Sequence, residues 1–336
     1  MGLCKPRHPV VGDNGDVPQN ANLLELLYDE IRNQGPLTFA RYMELALYHP
    51  EFGYYRQRNP FGKAGDFYTA EQLQPVFGEL MATFVEQLTE RSGAASPFAV
   101  LELGSGRGEM AEALQPFGYR PYDWNSSPLP QHWTGLVLAN EFFDALPIHL
   151  LEKRSDGWVE LLIERRGDRL GFTSGRTTQA LREYTERYGE RIPIGGRLEA
   201  CLEADEWMDR IAGILSSGYL IVFDYGYDAR ELVRFPEGTL ASYRNHQLYA
   251  DGLSTPGFQD ITAHVNFTWL RECADRSGFS CRGSLSLAAW ALRVWGEEEL
   301  ERRWRRGNPR WRMQWKQLVF GMGETFHVIE FERSGT

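Results

Sequence analysis

The chain has 336 residues, 42% of them hydrophobic and 24% charged, with a formal net charge of -10; this length exceeds one ordinary core and predicts a main domain with large insertions or a second lobe. The acidic balance argues against general affinity for nucleic acid or an anionic membrane, because phosphate binding needs a basic surface, and makes a basic peptide the better electrostatic match. Cys4, Cys201, Cys273 and Cys281 form neither a CxxC pair nor a zinc spacing, so no metal site is expected, and no apolar run approaches the ~18 residues that span a bilayer.

Residues 1–20, MGLCKPRHPVVGDNGDVPQN, have neither an apolar signal core nor a basic amphipathic pattern, and read as the flexible tail of a cytoplasmic protein. Leu23, Leu26, Leu27 and Ile31 follow helical spacing up to Gln34, and Gly35-Pro36 stops the helix. Thr38 is placed to cap a second helix, which runs through Phe39, Tyr42, Met43, Leu45, Ala46 and Leu47 to His49-Pro50. Residues 51–80, EFGYYRQRNPFGKAGDFYTAEQLQPVFGEL, are rich in glycine, proline and aromatics without a clear period, as in a functional loop. Together, 21–95 read as a helical cap with a covering loop.

At Phe98–Met110, FAVLELGSGRGEM, an apolar run around the single acid Glu102 meets Gly104, Gly106 and Gly108 at alternate positions. The pattern predicts a buried strand, a tight turn and a helix start near Glu109, the glycines letting the backbone lie flat against a ligand. A dinucleotide fingerprint, GxGxxG, needs its third glycine at 109, where this chain has Glu109. The spacing found, E-x-GxGxG, resembles that of S-adenosylmethionine-dependent methyltransferases. A nucleotide site and a purely structural turn are the alternatives. Asp123, at the end of the strand edge YRPYDW, lies 19 positions beyond Gly104. That is where a Rossmann-like second strand offers an acid to a ribose diol; its other reading is a turn acid beside Asn125 and Ser126.

GLVLANEFFDALP predicts a buried strand, Leu136 to Ala139, ending in Asn140, Glu141 and Asp144. Ligands collect at the carboxyl ends of parallel strands, so cofactor and substrate should meet there, unless Asn140 and Asp144 only satisfy a turn. Ile148 to Ile163 reads as a hairpin about Ser155-Asp156-Gly157, and 176–190 and 198–215 as helices. On the second of these, Glu199 and Glu203 would share a side. YLIVFDYGY is a strand ending in Asp224, an acid fit for a cationic acceptor or for closing the strand. SYRNHQLYADGLSTPGFQDITAHVNF gathers Arg244, His246, Asp260, Thr262 and His264 into a polar wall. His264 is a candidate proton relay or a structural histidine. In GEEELERRWRRGNPRWRMQWKQL, Trp304, Trp311 and Trp315 are expected to pack helices rather than stack bases.

RYMELALYHPEFGYY and GKAGDFYTAEQLQPVFGEL, followed in order by LELGSGRGEM, ANEFFDALP, IVFDYGY, SYRNHQLYADGLSTPGFQDITAHVNF and MGETFHVIEF, resemble the MidA-like family of S-adenosylmethionine-dependent methyltransferases. The resemblance covers nearly the whole chain from about residue 36. It implies an α/β fold: a Rossmann-like class I methyltransferase core over 96–336, a helical N-terminal cap, and an additional substrate lobe inserted at about 150–215 and 240–315. The cofactor implied is S-adenosyl-L-methionine, covered by Asp66, Phe67 and Thr69 of the GDFxT block and bound by Glu102, Gly104, Gly106 and Gly108, with Asn140 at the next strand end; most relatives have a longer insert with a Glu in a VExS-like strand, for which Asp123 is the substitute here. Asp66 as a helix cap is the local alternative. Mitochondrial members of the family methylate a protein arginine. For such an acceptor Glu141 and Asp144 would grip the guanidinium, with His264 relaying the proton and Glu199, Asp224 and Asp260 on the substrate side. An assembly chaperone that binds the cofactor without essential catalysis, and a small-molecule methyltransferase, are the other readings.

Overall fold

The computed structural model describes residues 20–57, 70–124, 128–244, 247–249 and 252–335, and these divide into two units. The first draws on 20–57, 145–203 and 227–264, the second on 70–144, 204–226 and 265–335. The expected boundaries shift accordingly. The helix Val76–Ser92 belongs with the large sheet rather than with a cap ending at 95, and 265–315 belongs there too rather than to an inserted lobe.

In the first unit, Ala21–Gln34 and Phe39–Tyr48 are helices because each has a start signal and an apolar face. The Asn20 side chain accepts the Leu23 N–H at 3.2 Å, and Thr38 Oγ1 accepts the Arg41 N–H at 3.1 Å. Their buried residues, among them Leu23, Leu27, Phe39, Tyr42 and Met43, share a core with Ile148, Leu150, Leu161, Ile163 and Ile261. The sheet beneath pairs Leu37–Thr38, Gly157–Arg166, His149–Arg154 and Arg197–Ala200 in that order, with Arg169–Gly175 also on Gly157–Arg166. Ser155 and Asp156 turn the hairpin between Arg154 and Gly157. Ala241–Arg244, Gln247–Tyr249 and Asp260–Thr262 form a second, small sheet.

The helix expected over 198–215 is instead two elements, a strand Arg197–Ala200 and a helix Glu203–Ile214. The strand forms because its backbone completes the antiparallel ladder with His149–Glu152. Glu199 and Glu203 therefore do not share a helix face. The Glu199 carboxylate is buried and accepts the Thr239 N–H at 2.8 Å, the Leu240 N–H at 3.0 Å and the Thr239 hydroxyl at 3.0 Å. It is an anchor for the chain at 239–240, not an acid presented to a substrate.

The second unit is built on a sheet of order Ser280–Ser286, Phe326–Arg333, Leu215–Tyr227, Trp133–Asn140, Ala99–Leu103 and Arg120–Tyr122, with Val265–Asn266 also paired to Leu215–Tyr227. Ala99–Leu103 lies parallel between Arg120–Tyr122 and Trp133–Asn140, and the latter is parallel to Leu215–Tyr227. Phe326–Arg333 enters antiparallel between its two neighbours. This is the Rossmann-like class I methyltransferase core that the resemblance implies. Phe77, Phe84, Leu136, Leu138, Phe223 and Trp290 belong to its main buried cluster. The carboxyl ends of the parallel strands converge on Gly104, Asp123, Asn140 and Asp224, so the topology gathers the candidate residues of this unit.

At the other end of these strands the backbones pass unusually close. Gly135 pairs with both Ala99 and Gly218. A Cβ on Gly135 would meet the Ala99 carbonyl oxygen at 2.4 Å, and one on Gly218 the Gly135 carbonyl oxygen at 2.1 Å. Backbone atoms of central strands cannot step aside as side chains do. Gly135→Ala should therefore cost about 3 kcal/mol and lower the Tm by on the order of 5 °C; an unchanged melting curve would show that the seam can widen.

Candidate functional site

The glycine turn owes its shape to three consecutive demands for positive φ, +70° at Gly104, +55° at Gly106 and +73° at Gly108. Side chains would strain each of them. The turn is fastened to the neighbouring strand, Gly104 N–H and Ser105 N–H donating to the Tyr122 carbonyl at 2.8 Å and 3.3 Å, and is closed on itself by Gly108 N–H donating to the Ser105 carbonyl at 2.8 Å. Asp123 completes it, Oδ2 accepting the Ser105 hydroxyl at 2.9 Å and Oδ1 the Gly106 N–H at 3.3 Å. Asp123 thus braces the turn, a role that sequence reasoning did not foresee. The short helix begins at Ala111 rather than Glu109 and ends at Leu114 as expected. The exposed surface at Gly104 and Gly106 is accordingly offered by the turn itself.

Behind the turn lies a buried pair of carboxyls. Glu102 is fully buried in its strand, accepts the Tyr119 hydroxyl, and shares a hydrogen bond with Glu71, itself only 7% exposed. Two carboxyls can bond each other only through a proton held between them. Burial pushes Glu102 up to about 7, against the Tyr119 hydrogen bond that lowers it. Burial, then the charge of Glu102 and more weakly those of Glu141 and Glu109, push Glu71 well above the usual carboxylate range. Neither Glu71 nor Tyr119 was singled out for this cluster from the sequence. The signal was the lone acid within an apolar strand, but its partners become neighbours only through the fold.

A second acid group follows the strand Trp133–Asn140. Glu141 has φ +48°, the only non-glycine residue of positive φ among the described residues, and its N–H donates to the Phe223 carbonyl at 2.8 Å. Such strain persists only where the surroundings enforce it, and it concentrates at functional sites. Asp224, wholly buried, accepts the Phe143 N–H at 3.1 Å and the Asp144 N–H at 3.2 Å on one oxygen, and the Tyr225 N–H at 2.9 Å on the other. It thereby fixes the loop that presents Glu141 and Asp144. Burial and the adjacent Asp144 and Glu141 raise its affinity for a proton. Asn140 Oδ1 is buried beside this group and accepts no hydrogen bond among the described residues.

Glu102, Gly104, Gly106, Gly108, Asp123, Asn140, Glu141, Asp144 and Asp224 therefore gather in the second unit. Asp260, Glu199 and His264 lie in the first. There Asp260 Oδ1 accepts the Tyr55 hydroxyl at 2.8 Å, and the His264 backbone N–H donates to Thr239 Oγ1 at 3.1 Å, with the His264 ring edge-on to Phe235. Asp66, Phe67 and Thr69 lie outside the described residues. Asn266 caps the helix Phe267–Arg276 by accepting the Trp269 N–H at 3.2 Å.

An open glycine bend flanked by acids suits a ligand with a flat adenosine, a ribose diol and positive charge. The buried Asn140 Oδ1, which accepts no hydrogen bond among the described residues, fits a ligand that brings a donor.

The Glu71–Glu102 pair also sets a pH dependence. Because its proton is held more tightly in the folded chain than in the unfolded one, folding stability should fall as pH rises from the ordinary carboxylate range through about 7. Glu71→Gln replaces the shared proton with an amide donor. It should raise stability by about 1–2 kcal/mol at pH 8 and change little at pH 5. Thermal unfolding of both proteins at the two pH values measures this, and an equal shift at both would remove the shared proton from the account.

A model of the family described as "Putative S-adenosyl-L-methionine-dependent methyltransferase" matches residues 111–285. A Drosophila melanogaster relative named protein arginine methyltransferase NDUFAF7 homolog, mitochondrial, is 28% identical over 346 residues, covering 84% of this chain and 77% of its own. Human NDUFAF7, also named a mitochondrial protein arginine methyltransferase, is 27% identical, over 76% and 69% of the two chains. A Burkholderia thailandensis crystal structure bound to S-adenosyl-homocysteine superposes with a TM-score of 0.84 at 26% identity, covering 96% of each chain. The mitochondrial relatives overturn the cytoplasmic location expected from residues 1–20. With its cofactor S-adenosyl-L-methionine, the chain belongs to the MidA-like family of S-adenosyl-L-methionine-dependent methyltransferases.

Proposed function

We propose that this methyltransferase acts on a guanidinium nitrogen of a protein arginine. The observation that carries the reading is the pair Glu141 and Asp144 on a loop held by Asp224, an acidic group at the carboxyl ends of the parallel strands. The names of the 27–28% identical relatives support the same acceptor.

In this proposal the turn at Gly104, Gly106 and Gly108 takes the cofactor against its backbone, Asp123 adds bonds to the ribose hydroxyls, and Asn140 Oδ1 accepts from a donor of the bound ligand. S-adenosylmethionine supplies a methyl carbon already activated by its sulfonium. The residues of this chain then have to align and desolvate the attacking nitrogen. Glu141 and Asp144 orient the guanidinium through charge-assisted, partly bidentate hydrogen bonds, so that one nitrogen points in line with the carbon–sulfur bond. The nitrogen forms the new bond to carbon while the carbon–sulfur bond breaks. A proton leaves the methylated nitrogen only as its charge develops, because a free guanidinium holds it to above ~12. Glu141 or Asp144 receives it.

Glu141→Gln and Asp144→Asn should each lower methyl transfer by roughly 100-fold or more while binding of S-adenosyl-homocysteine, followed by calorimetry, changes less than about threefold. Gly106→Val should abolish that binding, since a β-branched side chain cannot take φ +55° without strain. The acceptor is read by mass spectrometry after incubating a cell lysate with labelled methyl donor. Label on lysine or on a small metabolite would overturn the arginine assignment, and full biological activity of the Glu141 and Asp144 variants would favour a chaperone.

A further inference from the structure

The helix Pro309–Lys316 and the wider π-helical turn Gln317–Met322 that continues it bury Trp311, Gln314, Trp315, Leu318 and Val319. Their opposite face carries Arg310, Met313, Lys316 and Phe320, a spacing that aligns them along one side. Met313 is 60% and Phe320 81% exposed. Large apolar side chains so exposed beside cations mark contact surfaces more often than random surface does.

The charge here reverses that of the whole molecule. The chain has 36 basic against 46 acidic residues, yet residues 302–316 hold six arginines, one lysine and no acid. Arg302, Arg303 and Arg305 are paired with Glu299, Glu79 and Glu301. Arg312 and Lys316 lie over the Trp304 ring. Arg306 and Arg310 are exposed and have no carboxylate partner among the described residues.

The platform is stiff. Trp295 stacks on Trp311 at 5.7 Å and on Trp315 at 5.0 Å, Trp311 donates its ring N–H to Glu79 at 3.2 Å, and Gln314 donates to the Gln74 carbonyl at 2.6 Å. A surface held in place by buried indoles loses little entropy when a partner binds.

We propose that this face docks an acidic amphipathic helix of a partner protein, its apolar residues on Met313 and Phe320 and its carboxylates on Arg306, Arg310 and Lys316. Two apolar anchors a helical repeat apart match one stripe of a short helix. A bilayer is the poorer fit, because only two side chains are available to insert and the rest of the molecule carries excess negative charge. Nucleic acid is poorer still, since the tryptophans that would stack on bases are turned inward. The face shares no residue with the acid-lined strand ends, so the proposal does not depend on the methyl acceptor.

The test uses the full chain and a labelled synthetic peptide of about 20 residues, helical, with glutamates on one side and leucines on the other, against a control with lysines for glutamates. Fluorescence anisotropy should show the acidic peptide bound and the basic one not, with affinity falling between about 50 mM and about 300 mM salt. Phe320→Ser and the double variant Arg306→Glu/Arg310→Glu should each weaken binding about tenfold or more while S-adenosyl-homocysteine binding, the check on folding, is unchanged. Equal binding of the two peptides, or variants without effect, would overturn the proposal. So would preferential capture of phosphatidylglycerol vesicles or duplex DNA, or self-association in sedimentation that the same substitutions abolish.

Discussion

Negative charge withdrawn from water is the constraint on which the functional end of this protein depends. Glu71, Glu102, Glu109, Asp123, Glu141, Asp144 and Asp224 act on one another around a single sheet edge, and burial is the largest cause of the shifts at Glu71, Glu102 and Asp224. Such a group is tolerated only if each acid is given a proton, a backbone N–H or a cationic visitor. The fold uses the first remedy at Glu71 and Glu102 and the second at Asp123 and Asp224. Glu141 and Asp144 lie beside Asp224, just past the carboxyl end of Trp133–Asn140.

The division of labour follows from strand geometry. Parallel strands bring their carboxyl ends to one edge, and each ends in a short loop whose backbone N–H groups need acceptors. Asp123 and Asp224 meet that need for two different loops, the glycine turn and the loop of Phe143 and Asp144. The strained backbone at Glu141 is held in the same way, its N–H tied to Phe223 in the next strand.

Local signals in the sequence carried the elements well. Thr38 capped its helix, Asp156-Gly157 marked the hairpin, and the alternate glycines announced the turn, because each is decided by residues within a few positions of one another. What the sequence concealed was decided at a distance. Leu198 and Leu202 carry helical spacing, yet Arg197–Ala200 is a strand because His149–Glu152 offers a ladder. Glu199 was expected on the substrate side until Thr239 and Leu240, forty residues on, supplied its donors. Glu71 and Tyr119 could not be joined to Glu102 from spacing, since 31 and 17 positions separate them. Asp123 was legible as an acid at the right strand end, whereas its service to Ser105 and Gly106 needed the turn's shape.

The alternation of the chain between its two units has a consequence for biogenesis. Residues 20–57, 145–203 and 227–264 make one, and the intervening stretches make the other. Neither can close its core while only its earliest stretch has left the ribosome. The strand Leu215–Tyr227 must wait for Phe326–Arg333, about a hundred residues downstream, before its open side is paired. Until then a nascent chain displays an unpaired, apolar strand edge, the kind of surface that holdase chaperones recognise and that aggregates when they are scarce.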